Sequence, residues 1–307
     1  MRDFIEAIVT EVGRVLLGKD DKIKLALACL LSDGHLLIED LPGMGKTSLS
    51  QALAKVLGLS YQRIQFTNDM LPADILGVSV FDAKESRFTF HPGAIFTQVL
   101  LADEINRTTP KTQSALLEAM EEGQVTSERE TRQLPTPFFV IATQNPQSQM
   151  GTYPLPESQL DRFLMRISLG YPDAAAEKQL FLGGDPRQHL QDLNVCLKPE
   201  HLQEVKRAVA KIKTSDNLLD YLQRLIHFTR TSTDFPYGLS PRGAMALLRA
   251  AKTWAFMHGR AYVIPEDIQT LLPAVVTHRI APTSSARDQN EHTLIIQLLN
   301  KIDVVAD

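Results

Sequence analysis

The chain has 307 residues, of which 44% are hydrophobic and 22% are charged, and its formal net charge is −4. This length is enough for a large buried core and predicts one main domain with a smaller one. The charge gives no footprint for nonspecific attraction to nucleic acid or to a membrane surface. The two cysteines, Cys29 and Cys196, form no pattern typical of a disulfide framework or a structural zinc site.

The sequence contains no targeting signal that we recognise. No apolar run approaches the ~20 residues that a membrane-spanning helix needs, and the first six residues, Met1 to Glu6, do not resemble a signal peptide. We therefore expect no membrane span and, by default, a cytoplasmic location.

The first half of the chain alternates between helical and strand patterns. Residues 1–34 are predicted to form two amphipathic helices with a turn at 16–19, because apolar residues recur at helical spacing on either side. Short apolar runs then alternate with helical segments, which predicts a parallel sheet covered by helices on both faces, an α/β fold. The predicted strands are 35–39, 61–66, 97–102, 138–142 and 164–168.

Two segments interrupt this alternation. Residues 79–82 and 87–90 flank a polar turn, as do 124–127 and 131–134, so each pair is predicted to form a β-hairpin. By spacing alone, both hairpins are equally consistent with plain surface excursions.

The pattern becomes entirely helical after Tyr171-Pro172-Asp173. Pro172 and the following Gly and Pro residues at 183–186 indicate a domain boundary near this point. The predicted helices are 174–182, 199–211, 216–232, 241–257, 264–276 and 290–301.

The segment between the first strand and the next helix has the composition of a phosphate-binding loop. It reads Leu41, Pro42, Gly43, Met44, Gly45, Lys46, Thr47 and Ser48. The two glycines allow backbone N–H groups to approach a triphosphate, Lys46 can reach its β- and γ-phosphates, and Thr47 would offer a hydroxyl to Mg²⁺. The strict motif has glycine at its first position, where this chain has Asp40.

Carboxylates and an amide follow two later strands. Asp103 and Glu104 end the run 99–104, at the strand end where parallel sheets bind ligands. Asp103 would hold Mg²⁺ and Glu104 would orient and deprotonate the attacking water, unless the pair only caps the next helix. Asn145 is predicted to contact the γ-phosphate or that water, with a turn before Pro146 as the alternative.

Arg162 ends a short predicted helix. An arginine supplied to a neighbouring subunit's nucleotide can stabilise transition-state charge. A surface ion pair with Asp161 is the alternative.

In this order the elements resemble the AAA+ ATPases, and the resemblance extends over nearly the whole chain. The phrases 37–43, 103–107 and 153–163 are similar to those of the MoxR family, which tolerates an acidic residue where Asp40 stands. The resemblance implies a Walker A motif at 40–47 and a Walker B motif at 99–104. It also implies sensor 1 at Asn145, an arginine finger at Arg162 and sensor 2 at Arg242.

The resemblance also implies an organisation and a function. Residues 1–170 would form the αβα nucleotide-binding core, with inserted hairpins at about 77–93 and 124–135, and 171–307 would form a smaller helical lid. Leu17 and Gly18 would lie near the adenine, and Arg107 is a second candidate for contacts across a subunit interface. Family members are expected to use ATP and Mg²⁺ in hexameric rings that remodel or activate client proteins, often with a von Willebrand factor A domain partner.

Three other functions are consistent with parts of the sequence. A GTPase is suggested by Asp74-Ile75-Leu76-Gly77 and Asn300-Lys301-Ile302-Asp303, although no strand precedes the second tetrad. A DNA-directed AAA+ motor is disfavoured by the mixed charge of the second hairpin, and no nucleic acid is expected as a partner. A nucleotide-binding scaffold with little turnover is the third alternative, against which Lys46, Asp103 and Glu104 argue.

Overall fold

A parallel sheet forms the centre of the computed structural model, which describes residues 3–127, 130–145, 152–183, 186–233, 235, 237–280, 295 and 301–304. The strands are β1 (Leu36–Glu39), β2 (Tyr61–Gln65), β3 (Gly77–Asp82), β4 (Arg87–Pro92), β5 (Val99–Asp103), β6 (Gln124–Ser127), β7 (Glu130–Gln133), β8 (Phe139–Gln144) and β9 (Met165–Ile167). Five of them pair in parallel in the order β2-β5-β8-β1-β9. These five are the predicted strands, so the predicted parallel sheet is confirmed.

The helices also follow the predicted order. They are α1 (Asp3–Gly13), α2 (Asp20–Leu31), α3 (Lys46–Val56), α4 (Pro72–Leu76), α5 (Pro110–Glu122), α6 (Glu157–Leu160), α7 (Ala174–Gly183), α8 (Pro199–Ala210), α9 (Asp216–Thr231), α10 (Pro241–Met257) and α11 (Pro265–Val276). Short 3₁₀ turns occur at Ile105–Arg107 and Pro186–Leu190. The helix predicted at 290–301 lies largely outside the described residues. Within the described part of the chain, no helix is both long and apolar enough to cross a membrane.

Successive side chains of the central strands enter two separate hydrophobic clusters, as the period of a strand requires. Leu36 and Ile38 pack with residues of α1 to α3 and of α8 to α11. Leu37 packs with the apolar side of α5 and with Val125 of the second hairpin. The sheet is therefore covered on both faces, as predicted.

The helices that follow Tyr171 pack against the core by buried polar contacts as well as apolar ones. Ser32, which caps the end of α2, donates to the hydroxyl of Thr253 in α10 at 2.7 Å. The Arg279 guanidinium, whose side chain is only 3% exposed, pairs with Asp161 at 2.7 Å. These contacts fix the helical part against the edge of the sheet at which β9 lies.

Both interrupting segments are antiparallel hairpins, β3–β4 and β6–β7. Phe81 and Phe88 face each other across the first hairpin with ring centroids 5.3 Å apart, yet they are 54% and 69% exposed. Phe90 packs against Phe96 instead, and the Arg132 guanidinium of β7 lies 3.9 Å from the centroid of the Phe90 ring. The two hairpins therefore contact each other, and the first presents an aromatic pair at the surface. The tip of the second hairpin, residues 128–129, is outside the described residues.

Candidate nucleotide-binding site

The loop between β1 and α3 lines a cavity of about 600 Å³ at the carboxyl ends of the central strands. Gly43 and Gly45 have φ values of 86° and 93°, a left-handed conformation that glycine adopts without strain. A β-carbon on Gly45 would also lie 2.6 Å from the side chain of Leu16. The loop contributes to the cavity lining all of the predicted residues from Pro42 through Gly43, Met44, Gly45, Lys46 and Thr47 to Ser48.

Lys46 is held inside this loop. Lys46 is the first residue of α3 and is only 8% exposed. Its Nζ donates to the backbone carbonyl of Asp40 at 2.7 Å and to Oδ1 of Asn145 at 3.5 Å. Burial lowers the pKa of Lys46, while the carboxylates of Asp103, Asp40 and Glu104 act in the opposite direction. The ammonium group is thus positioned beside three acidic side chains of the site.

Asp103 ends β5 with both carboxylate oxygens in use. Thr143, which is fully buried in β8, donates its hydroxyl to Oδ1 at 2.6 Å. Arg63 of β2 donates to Oδ2 from Nη2 at 2.6 Å and from Nε at 3.2 Å. Asp103 and Thr47 line the same cavity. Carboxylate and hydroxyl oxygens are ligands that Mg²⁺ accepts alongside water and phosphate oxygens, so these residues fit the ion.

Glu104 is fixed by backbone and side-chain contacts. Its φ of 58° and ψ of 49° are unusual for a residue with a side chain, and such strain often occurs at functional sites. Its N–H donates to the Thr143 hydroxyl at 2.8 Å. Its carboxylate accepts from Gln65 at 2.9 Å and from Asn145 at 3.1 Å, and pairs with Arg107 at 2.9 Å. The predicted base and the predicted sensor 1 are therefore in direct contact.

The turn between α1 and α2 closes one side of the cavity. Leu17 lies in the lining, as do Gly170 and Pro172 from the segment before α7. Gly18 is adjacent but packs elsewhere, since a β-carbon there would lie 2.9 Å from the side chain of Ala176 in α7. The turn therefore contacts both the cavity and the first helix of the predicted lid.

Arg162 and Arg242 do not line the cavity. Both pair with Glu121 near the end of α5, Arg162 through Nε at 3.2 Å and Arg242 through Nη2 at 2.5 Å. Their side chains are 28% and 50% exposed. The alternative pairing of Arg162 with Asp161 is replaced by Glu121, and Asp161 pairs with Arg279 instead. The two arginines therefore share one carboxylate partner, and both lie outside the cavity of their own chain.

Sequence reasoning missed several residues that complete the site. Arg63 and Gln65 lie on the half-exposed strand β2, and Thr143 lies in an apolar run. The register between β2 and β5 places Arg63 and Gln65, because it sets Gln65 beside Asp103, and the pairing of β5 with β8 places Thr143. Glu121 looks like an ordinary surface charge on a helix. Of these residues, only Thr143 could have been found from the sequence, because it is a polar residue in an apolar strand, two positions before Asn145.

The tetrads that suggested a GTPase have other positions. Asp74 caps α4, where its carboxylate accepts from the backbone N–H of Leu71 at 2.7 Å, and it does not line the cavity. Of the second tetrad, Asn300 lies outside the described residues. The cavity therefore receives no contribution from the D-x-x-G segment.

The sheet order and the glycine-rich loop between β1 and α3, with two carboxylates at the end of β5 and an amide at the end of β8, define a P-loop nucleotide-binding site of the AAA+ type. Residues 35–165 match the sequence profile of the ATPase family associated with various cellular activities, and residues 227–297 match that of the AAA lid domain.

The relatives agree with this class. The chain is 47% identical to the uncharacterised protein YeaC of Bacillus subtilis over 89% of this chain and 85% of that protein. It is 38% identical to chaperone MoxR1 of Mycobacterium tuberculosis over 92% and 77% of the two chains. A crystal structure of a protein from Cytophaga hutchinsonii superposes with a TM-score of 0.90 at 36% identity, covering 100% of this chain and 96% of that one. The chain belongs to the MoxR family of AAA+ ATPases.

Proposed function

We propose that this chain binds ATP with Mg²⁺ and hydrolyses it in a ring of identical subunits, and that the ring uses this cycle to remodel or activate partner proteins. The observation that carries the proposal is the division of the charged residues. Lys46, Asp103 and Glu104 share one cavity, whereas Arg162 and Arg242 lie outside it on Glu121. Since neither Arg162 nor Arg242 lines the cavity of its own chain, a neighbouring subunit would supply these two arginines.

In this proposal each cavity residue has one task. The backbone N–H groups of the loop and Lys46 bind the phosphates, while Thr47 and Asp103 hold the metal ion. Bound Mg²⁺ would neutralise charge on the β- and γ-phosphates. Glu104, turned towards Asn145, would orient the attacking water and accept its proton. Leu17 would contact the adenine, with Gly18 next to it in the same turn.

The arginines supply the remaining charge from outside. Arg162, and with it Arg242, would leave Glu121 and approach the γ-phosphate of the adjacent subunit, where a guanidinium can contribute about 10³–10⁵ in rate. Arg107, which pairs with Glu104, is a second candidate for a contact between subunits.

A hexamer, a von Willebrand factor A domain partner, a protein client and a cytoplasmic location complete the proposal. The core at 1–170 and the lid at 171–307 are the proposed domains.

The test is ATP turnover per subunit as a function of protein concentration. Turnover that rises with concentration, and that Arg162→Ala abolishes, is the expected result, since the site would be completed only on assembly. The control is Arg14→Ala, which removes an exposed arginine that pairs with the nearby Glu11 at 3.1 Å, away from the cavity. Turnover that stays constant down to concentrations where sizing shows monomers would contradict the ring mechanism.

Two alternatives have their own tests. For the scaffold, Glu104→Gln decides: loss of hydrolysis with retained ATP binding supports an enzyme, whereas a wild-type chain that binds ATP without turnover at any concentration supports a scaffold. For a DNA-directed motor, a salt-dependent DNA titration decides, because phosphate contacts weaken steeply with salt. We expect no specific DNA binding.

A further inference from the structure

Asp40 stands where the strict phosphate-binding motif has glycine, and it is buried, with 8% exposure. Oδ1 of its carboxylate accepts from the backbone N–H of Leu41 at 3.1 Å. Oδ2 accepts from the backbone N–H groups of Leu169 at 2.5 Å and Gly170 at 2.8 Å, and from the hydroxyl of Ser168 at 3.2 Å. A buried carboxylate is costly unless its oxygens are hydrogen-bonded, and here both are.

The groups that bind Oδ2 of Asp40 all belong to one short piece of chain, residues 168–173, which we call the connecting segment. It follows β9 and leads directly into α7. Gly170 has a φ of 64°, which lets the chain turn there, and Gly170 and Pro172 line the nucleotide cavity. The chain passes from the sheet to the helical part through this segment.

The backbone of Asp40 is tied to the phosphate-binding residues. Its carbonyl accepts from Nζ of Lys46 at 2.7 Å, and its N–H donates to the carbonyl of Gln144 in β8 at 3.3 Å. When a phosphate arrives, the ammonium group of Lys46 gains a new acceptor, and its three donors are then shared among the phosphate, the Asp40 carbonyl and Asn145. A change at Lys46 therefore reaches the connecting segment through one residue, and a glycine at position 40 could not transmit it.

We propose that Asp40 is a positioning residue that couples the phosphate-binding loop to the connecting segment, so that nucleotide binding sets the position of α7. The inference rests on the proposed function, since it assumes that the cavity binds nucleotide. Asp40 acts through the backbone of Leu169 and Gly170 and has no contact with the substrate in this role.

The test is hydrogen exchange measured by mass spectrometry on the full chain, with and without Mg-ADP. Asp40→Gly removes the carboxylate, and Asp40→Asn keeps its shape but turns one acceptor into a donor. The matched control is Glu39→Gln, because Glu39 is the preceding residue and also joins β1 to β9, through Arg166 at 3.1 Å, without touching the connecting segment.

Without nucleotide, both Asp40 variants should exchange the amides of Leu169 and Gly170 about tenfold faster or more, because the hydrogen bonds to a charged carboxylate are lost in Asp40→Gly and become weaker, neutral ones in Asp40→Asn. With Mg-ADP, the exchange of α7 should slow in the wild type and in Glu39→Gln but not in the Asp40 variants. In ATP turnover, Asp40→Asn should lower kcat with little change in KM, the pattern of a lost conformational step. Asp40→Asn decides the outcome if Asp40→Gly does not fold.

The inference would be overturned if Mg-ADP slowed hydrogen exchange in α7 of Asp40→Asn as much as in the wild type. Unchanged exchange at the amides of Leu169 and Gly170 in the variants would overturn it as well. A wild-type chain that binds Mg-ADP with no response in α7 would overturn it as well, while leaving the proposed function standing. A wild-type chain that does not bind Mg-ADP would instead refute the proposed function.

Discussion

The acidic and the cationic parts of the proposed active site are built in different ways. Asp103 and Glu104 are held on both carboxylate oxygens by residues of the same chain, among them Thr143, Arg63 and Asn145. Arg162 and Arg242 share a single partially exposed carboxylate, that of Glu121. The first arrangement is fixed within the fold, whereas the second can exchange its partner at little cost, because exposed ion pairs contribute little stability.

Subunit mixing is the most direct test of whether the acidic and the cationic residues act from different subunits. Arg162→Ala keeps the acidic half and Glu104→Gln keeps the cationic half, so each variant alone should lose about 10³-fold in turnover. In mixed rings, an intact cavity would meet an intact arginine from its neighbour, and measurable turnover should return. The measurement is phosphate release from each variant and from their mixture. Activity that does not return on mixing, although the variants co-assemble, would show that Arg162 acts within its own chain or is not required.

A smaller effect is expected at Thr143, which holds both carboxylate residues. Thr143→Val should lower kcat about tenfold to a hundredfold, since the N–H of Glu104 and an oxygen of Asp103 each lose a buried partner. Thr143→Ser retains a hydroxyl and should recover most of the activity. Steady-state kinetics on both variants gives the answer. A larger loss in Thr143→Ser than in Thr143→Val would mean that packing of the methyl group, and not the hydroxyl, supports the site.

A substitution of Arg63 tests how strongly this residue neutralises Asp103 before a metal ion binds. Its guanidinium occupies one oxygen of Asp103, so Arg63→Gln should lower the Mg²⁺ concentration for half-maximal turnover by a few-fold, at saturating ATP. The Mg²⁺ titration of the wild type is the reference. A higher requirement for Mg²⁺ in the variant would mean that Arg63 assists metal or phosphate binding and does not compete with it.

His35 joins β8 to the end of α5 by hydrogen bonds, and it is expected to affect the free energy of unfolding. Nδ1 accepts from the N–H of Val140 at 3.0 Å, so Nε2 carries the hydrogen donated to the carbonyl of Met120, next to Glu121, at 3.1 Å. Burial lowers the pKa of His35 to about 4, below its usual 6.5. Between these values the unfolded chain binds more protons, so His35 contributes full stability above pH 6.5 and loses it as the pH falls towards 4.

The expected loss from this residue is about 3 kcal/mol in the free energy of unfolding over that range. Urea unfolding at several pH values, compared between the wild type and His35→Leu, measures it. The variant should be less stable at neutral pH but should vary less with pH between 6.5 and 4. Identical slopes in the two chains would contradict the assignment of a neutral, partly buried His35.

The residues that could be predicted from the sequence are those fixed by local pattern. The apolar runs identified the five strands of the sheet, and the loop from Pro42 to Ser48 was found because its glycines, lysine and threonine are consecutive. Asp103, Glu104 and Asn145 follow directly on apolar strands, which makes their position at the strand ends predictable.

The remaining contacts depend on tertiary structure. Arg63 reaches Asp103 only because β2 pairs with β5 in one register. Arg162 and Arg242 are 80 positions apart in the chain and share Glu121 only after the helices have packed. Asp40 was an exception to a motif in the sequence, and its contacts with Leu169 and Gly170 span more than a hundred residues. Local periodicity carries no information on such pairs.

The Glu121 carboxylate has a consequence for subunits that are not assembled. Two exposed guanidinium groups on one surface would attract free nucleotides and other polyanions, including nucleic acid. With Glu121 between them, that surface carries one net positive charge where it would otherwise carry two. In the proposed ring mechanism, a subunit that has not yet assembled would thereby be shielded from unproductive anionic partners, and its arginines would remain available for the nucleotide of a neighbouring subunit.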